Sequence, residues 1–126
     1  MQNKKQLFTQ VERTIKWNTD RGNTPDTLNW TLEENMLQEE LDEFKEAKTD
    51  VDRLDAILDI FFVGIGTLSK MGLNQYNIVD AYELVLKANE QKSSKKDANG
   101  KIIKNKETFN PPEPALQRIL DNRISY

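Results

Sequence analysis

The sequence predicts an all-α protein with four main helices and a loop-rich C-terminal tail. Three observations predict it. Apolar residues recur at helical spacing in four successive segments. Clusters of turn formers separate those segments. No stretch alternates apolar and polar residues as a half-buried strand does.

Taken in order, residues 3–18 read as an amphipathic helix, with Leu7, Val11 and Ile15 one turn apart and Phe8 beside them. The run from Arg21 to Asp26 breaks it. A second helix is expected from Thr31, because Thr31 and Glu34 have the spacing of a capping box, and Leu37, Leu41 and Phe44 form its seam. It should end in a polar turn at Lys48-Thr49-Asp50. The third helix, 51–70, carries Val51, Leu54, Ile57, Leu58, Phe61, Phe62, Ile65 and Leu68 around most of its circumference, the pattern of a central, buried helix. Gly72 is the expected left-handed residue after it. A fourth helix spans 75–92, with Ile78, Tyr82, Val85 and Leu86 as its seam. Residues 93–112 are polar, with a tight turn expected at Asp97-Ala98-Asn99-Gly100. Pro111-Pro112-Glu113-Pro114 should stop regular structure, and a short last helix is expected over 115–124.

Composition narrows the chemistry. The 126 residues are one domain's worth, with no Cys and no His. Disulfides, thiolate metal sites, imidazole bases and Ser-His-Asp catalysis are excluded. Any metal would be held by carboxylate oxygens, which suit Mg²⁺ or Mn²⁺. A net charge of −3 argues against nucleic acid and anionic membrane as partners. The longest apolar run, Ala56 to Leu68, is too short to span a bilayer, and the N-terminal MQNKKQLF has charges without an apolar run behind them. The cytoplasm is the expected compartment.

Several carboxylates stand where apolar residues are expected. With Leu37 at zero on a helical wheel, Glu40 falls at about −60° and Glu43 at about −120°, both bordering the seam, and Glu39 at about −160°. The string Glu39-Glu40-Leu41-Asp42-Glu43 has the form E-E-x-x-E. On the third helix Asp59 is the only charge between Asp55 and Lys70, and the two aspartates stack one turn apart. Like charges there repel and lose solvation. A divalent cation held by Glu40, Glu43, Asp55 and Asp59 would compensate, if the short connection makes the two helices antiparallel neighbours. The plainer alternatives are a solvated acidic face and ion pairs from Asp55 to Arg53, Lys70 or Lys92. Asn89 and Lys92 continue the seam of the fourth helix, where they suit metal or phosphate contact or a plain helix C-terminus.

These residues resemble the all-α nucleoside-triphosphate pyrophosphohydrolases of the MazG-like superfamily, which includes phosphoribosyl-ATP pyrophosphohydrolase and the dimeric dUTPases. Glu39, Glu40 and Glu43 match the family's E-E-x-x-E. The following acidic pair, usually E-x-x-D, is here Asp55-Ala56-Ile57-Leu58-Asp59, with Ala56 where the glutamate usually stands. LDAILDIFFVGIG is similar to a D-A-x-x-D subgroup seen in small bacterial and phage proteins. Val85 to Lys92 is similar to its V-x-x-S-N-x-x-K, and KKDANGKIIKNKETFNPPEPALQRIL to its tail.

The resemblance implies a four-helix bundle-like domain over 1–126, with a motif core at 31–92 and a phosphate-side loop and tail at 93–126. It implies hydrolysis of a (d)NTP between the α and β phosphates, giving a nucleoside monophosphate and pyrophosphate, with Mg²⁺ (or Mn²⁺) as cofactor. Glu40, Glu43, Asp55 and Asp59 become the metal ligands. Glu39 is the water-orienting base or a ligand of a second metal. Asn89 and Lys92, with Lys101 and Lys104 of the tail, become phosphate contacts. Trp17 and Asn18 are candidates for reading the base, with Phe8 and Trp30 as further stacking groups. A homodimer or homotetramer is also implied. A catalytically idle helical interaction module and a metal-bound nucleotide sensor are the competing readings.

Overall fold

Local sequence sets where each helix starts and stops. The computed structural model describes residues 5–104 and 109–123, so the first residues of the predicted 3–18 helix and the last of the predicted 115–124 helix lie outside it. Helix α1 runs Gln6–Asp20, a short 3₁₀ turn Pro25–Thr27, α2 Trp30–Glu46, α3 Asp50–Lys70, α4 Gln75–Glu90 and α5 Glu113–Asp121. The protein is all-α; among the described residues the nearest thing to a sheet is one isolated bridge, Lys96 to Ile102.

Helices α1 and α3 end in the same way. Gly22 and Gly72 adopt φ of 78° and 88°, a region open to glycine. Behind Gly72, the Leu73 amide donates to Leu68 O and the Gly72 amide to Ser69 O, the paired bonds of a Schellman stop. The Asn23 and Gly22 amides do the same to Asn18 O and Thr19 O.

Three expectations are corrected. The cap of α2 is Asn29, whose side chain accepts from the Leu32 amide at 3.2 Å, not Thr31. Asparagine is among the strongest N-caps, and it captures the helix two residues earlier than the Thr31–Glu34 spacing suggests. The Pro-rich run does not exclude helix: α5 begins at Glu113 with Pro114 in its first turn, where a missing N–H has no partner to lose. Finally, α3 is not buried all round. Its buried residues are Ala56, Ile65, Gly66, Thr67, Ser69 and Lys70, whereas Leu54, Ile57, Leu58 and Phe61 remain about half exposed.

The described residues form two compact units, one up to residue 78 and the other from residue 79 to 123. In the first, α1 and α2 both pack on α3, and the 3₁₀ turn adds to the α3 contact. Val11 of α1 and Ala56 and Ile65 of α3 are its deeply buried apolar residues in these helices. Gly66 lets α1 approach: a Cβ there would stand 3.2 Å from the Asn18 amide nitrogen. Phe8 meets Tyr76 edge-on at 4.8 Å, tying α1 to the first turn of α4. That turn is capped reciprocally by Asn74 and Asn77, each side chain accepting from the other's backbone amide.

The second unit holds the rest of α4, the polar segment and α5. The expected turn is present: Asp97 Oδ1 accepts from the Asn99 and Lys101 amides, and Gly100 has φ of 80°. Gln91 ties the end of α4 to Asn110, accepting its amide at 2.8 Å. Among the described residues no single helix is long and apolar enough to cross a membrane.

Candidate metal centre

The antiparallel α2–α3 pair brings Glu40, Glu43 and Asp59 together, one oxygen from each lying within 4.8 Å of the others. Glu40 and Glu43 are one turn apart on α2 and share a face. Asp59 reaches them from the middle of α3. Glu40 and Asp59 are half-buried and Glu43 is exposed. Glu40 Oε2 is buried and has no hydrogen-bond partner. Desolvation raises the Glu40 carboxyl above its ordinary value, helped by a hydrogen bond with Glu43 and by the charges of Glu43, Asp59 and Glu39.

An orphaned buried carboxylate oxygen is costly, and three converging carboxylates make it more so. The donor set consists of hard oxygens, which fits a divalent cation of the Mg²⁺ or Mn²⁺ kind. Asp55 stays outside the group. It lies exposed one turn earlier on α3, and the position of the missing family glutamate, Ala56, is 3% exposed. Glu39 is exposed on α2 next to the trio.

Beside Asp59 on α3, three residues on, stands Phe62. The Trp17 ring meets it edge-on at 5.1 Å, and the Arg21 guanidinium lies 4.3 Å over the Trp17 ring. These residues line an open groove of about 610 Å³ between α1 and α3, with Arg13, Leu58 and Phe61 along it. Asn18 does not face it freely. The residue is 5% exposed, and its amide donates to Thr14 O and accepts from Asn23. Trp30 and Phe8 lie outside the groove. In the second unit, Asn89 donates to Val85 O, Lys92 is half-buried just past α4, and Lys101 is exposed in the turn. The Lys104 ammonium sits 5.1 Å over the Phe109 ring.

A further acid–base pair lies buried between α2 and α3. Glu33 of α2 is 1% exposed, and both its oxygens accept from Lys70 Nζ at 3.1 Å. Thr67 Oγ1 donates to the same carboxylate at 3.0 Å. The signal was present: Glu33 is one turn before Leu37, on the core side of the wheel. Lys70, considered as a partner for Asp55, is committed here.

A family model described as phosphoribosyl-ATP pyrophosphohydrolase matches residues 8–85, more than half of the chain. The match takes in α1, whose sequence alone is generic, and stops before Asn89 and the tail. No curated protein and no solved structure matches the chain.

Proposed function

The chain belongs to the phosphoribosyl-ATP pyrophosphohydrolase family, within the MazG-like all-α superfamily, and on that premise we propose that it is a metal-dependent nucleoside triphosphate pyrophosphohydrolase. The observation that carries the reading is the Glu40–Glu43–Asp59 trio with its unpartnered Glu40 oxygen. Those three residues would hold Mg²⁺ or Mn²⁺. Such an ion supplies charge neutralisation for the phosphates and a lowered pKa for the attacking water.

The protein's own residues do the rest. Glu39, exposed and adjacent to Glu40 on α2, would take the proton of the attacking water; its exposure and its neighbour support that role. Trp17, held against Phe62 next to Asp59, offers a face on which the base stacks, and Arg13 adds positive charge along that groove. The products are a nucleoside monophosphate and pyrophosphate. The half-exposed apolar side chains of α3, Leu54, Ile57, Leu58 and Phe61, suit cover by a second copy in a homodimer or homotetramer.

The test is pyrophosphate release from a panel of canonical and modified NTPs and dNTPs with Mg²⁺, Mn²⁺ or EDTA. Metal-dependent release of pyrophosphate with a monophosphate product is expected. Phosphate in place of pyrophosphate, or release that survives EDTA, would overturn the reading.

A further inference from the structure

Glu33 is the only buried residue of α2. The apolar residues of that helix are half-buried or exposed, with Leu41 and Phe44 at 39% and 37%. Apolar contact is non-directional, so such a face resists sliding along α3 only weakly. The contacts that do have direction are those of Glu33: two hydrogen bonds from Lys70 and one from Thr67.

This buried group and the acidic trio share one helix–helix seam. Glu33 lies seven residues before Glu40, two turns up the same face of α2. Lys70 lies eleven residues after Asp59, three turns along the same face of α3, and Thr67 eight residues after it. Both helices run unbroken between these positions and contain no proline there. An axial shift at one end is therefore passed to the other. A slip of a single residue moves a side chain by about 1.5 Å and turns it by about 100°. A ligand constellation tolerates about 0.5 Å.

We propose that Glu33, Lys70 and Thr67 are positioning residues, which set the axial register of α2 on α3 and so hold Glu40 and Glu43 opposite Asp59. The inference rests on the reading of that trio as a cation site. A buried ion pair is a poor source of net stability, because desolvation offsets the attraction, and apolar replacement of both partners is often neutral. Its directional bonds are what an apolar substitute lacks.

The experiment compares Mn²⁺ binding, by titration calorimetry or electron paramagnetic resonance, with thermal melting, on the full chain. The double variant Glu33→Met with Lys70→Met fills the same space without direction. It is expected to melt at or above the wild-type temperature while its Kd for Mn²⁺ rises about ten-fold or more. Thr67→Val removes one bond at constant shape. It is expected to fold and to raise that Kd about two- to ten-fold, which keeps the test decisive should the double variant fail to fold. Folded variants that bind Mn²⁺ as tightly as wild type would overturn the proposal. Wild-type protein that binds no Mn²⁺ would overturn the cation-site reading itself, and the positioning role with it.

Discussion

The two ends of the α2–α3 seam treat charge in opposite ways. At one end the Glu33 carboxylate is fully buried, yet each of its oxygens is satisfied by a cation or hydroxyl of the same chain. At the other, Glu40, Glu43 and Asp59 converge with no basic partner among the described ion pairs, and one Glu40 oxygen is left without a hydrogen bond. The contrast separates compensated from uncompensated acid in one helix pair. Depth does not do it, since Glu33 is the deeper residue. Compensation does: the first end is electrically complete within the chain, and the second has no basic partner among the described residues.

Single substitutions should therefore have opposite consequences at the two ends. Lys70→Met strands the Glu33 carboxylate in the interior. It should cost about 3–5 kcal/mol, seen as a collapse of the thermal midpoint. Asp59→Asn removes repulsion instead. The metal-free protein should melt no lower than wild type, while Mn²⁺ binding and turnover are lost. Equal destabilisation by both changes would erase the distinction drawn between the ends.

Two glycines on α3 sharpen it further. At Gly64 a Cβ meets nothing within 4 Å, so Gly64→Ala should stabilise by about 0.5–1 kcal/mol through helix propensity. At Gly66 the new Cβ would press on Asn18, whose amide is bound to Thr14 O and Asn23. Gly66→Ala should lose about 1 kcal/mol net, the packing strain exceeding the propensity gain. Chemical denaturation of the pair gives both signs.

The smallest effect concerns pH. Burial and neighbouring carboxylates raise Glu40 in the folded protein, so the unfolded chain loses that proton first. The folded state then holds more protons over the interval, and stability from this group is full below the ordinary carboxyl value and is lost as pH rises toward the raised one. Relative to Glu40→Gln, wild-type protein without metal should lose stability as pH rises above the ordinary carboxyl value. Excess Mg²⁺ should flatten that difference, because the cation replaces the missing compensation. An unchanged difference with and without Mg²⁺ would detach Glu40 from any cation.

Much of this was legible one helix at a time. The i, i+4 seams located α1 to α4 within a few residues, and Gly72 marked the stop after α3 because a left-handed residue is needed there. Asn29 and Thr31 are two capping residues standing close together, and only the fold shows which one reaches a backbone amide. Asp59 stood out as a lone charge in an apolar run. Glu33 did not, because on an acidic helix one more glutamate looks solvated until its partner, 37 residues away, is seen beside it.

The sequence by itself determined the all-α class, the absence of His and Cys chemistry, and the family motif on α2. These depend on composition and on spacing within one helix, which the chain carries locally. Tertiary structure alone decided which carboxylates meet. It joined Glu40 and Glu43 to Asp59, left Asp55 outside, and gave Lys70 to Glu33. The reason is that helical periodicity specifies the face a residue occupies, while the register and rotation of one helix against another are settled only when they pack.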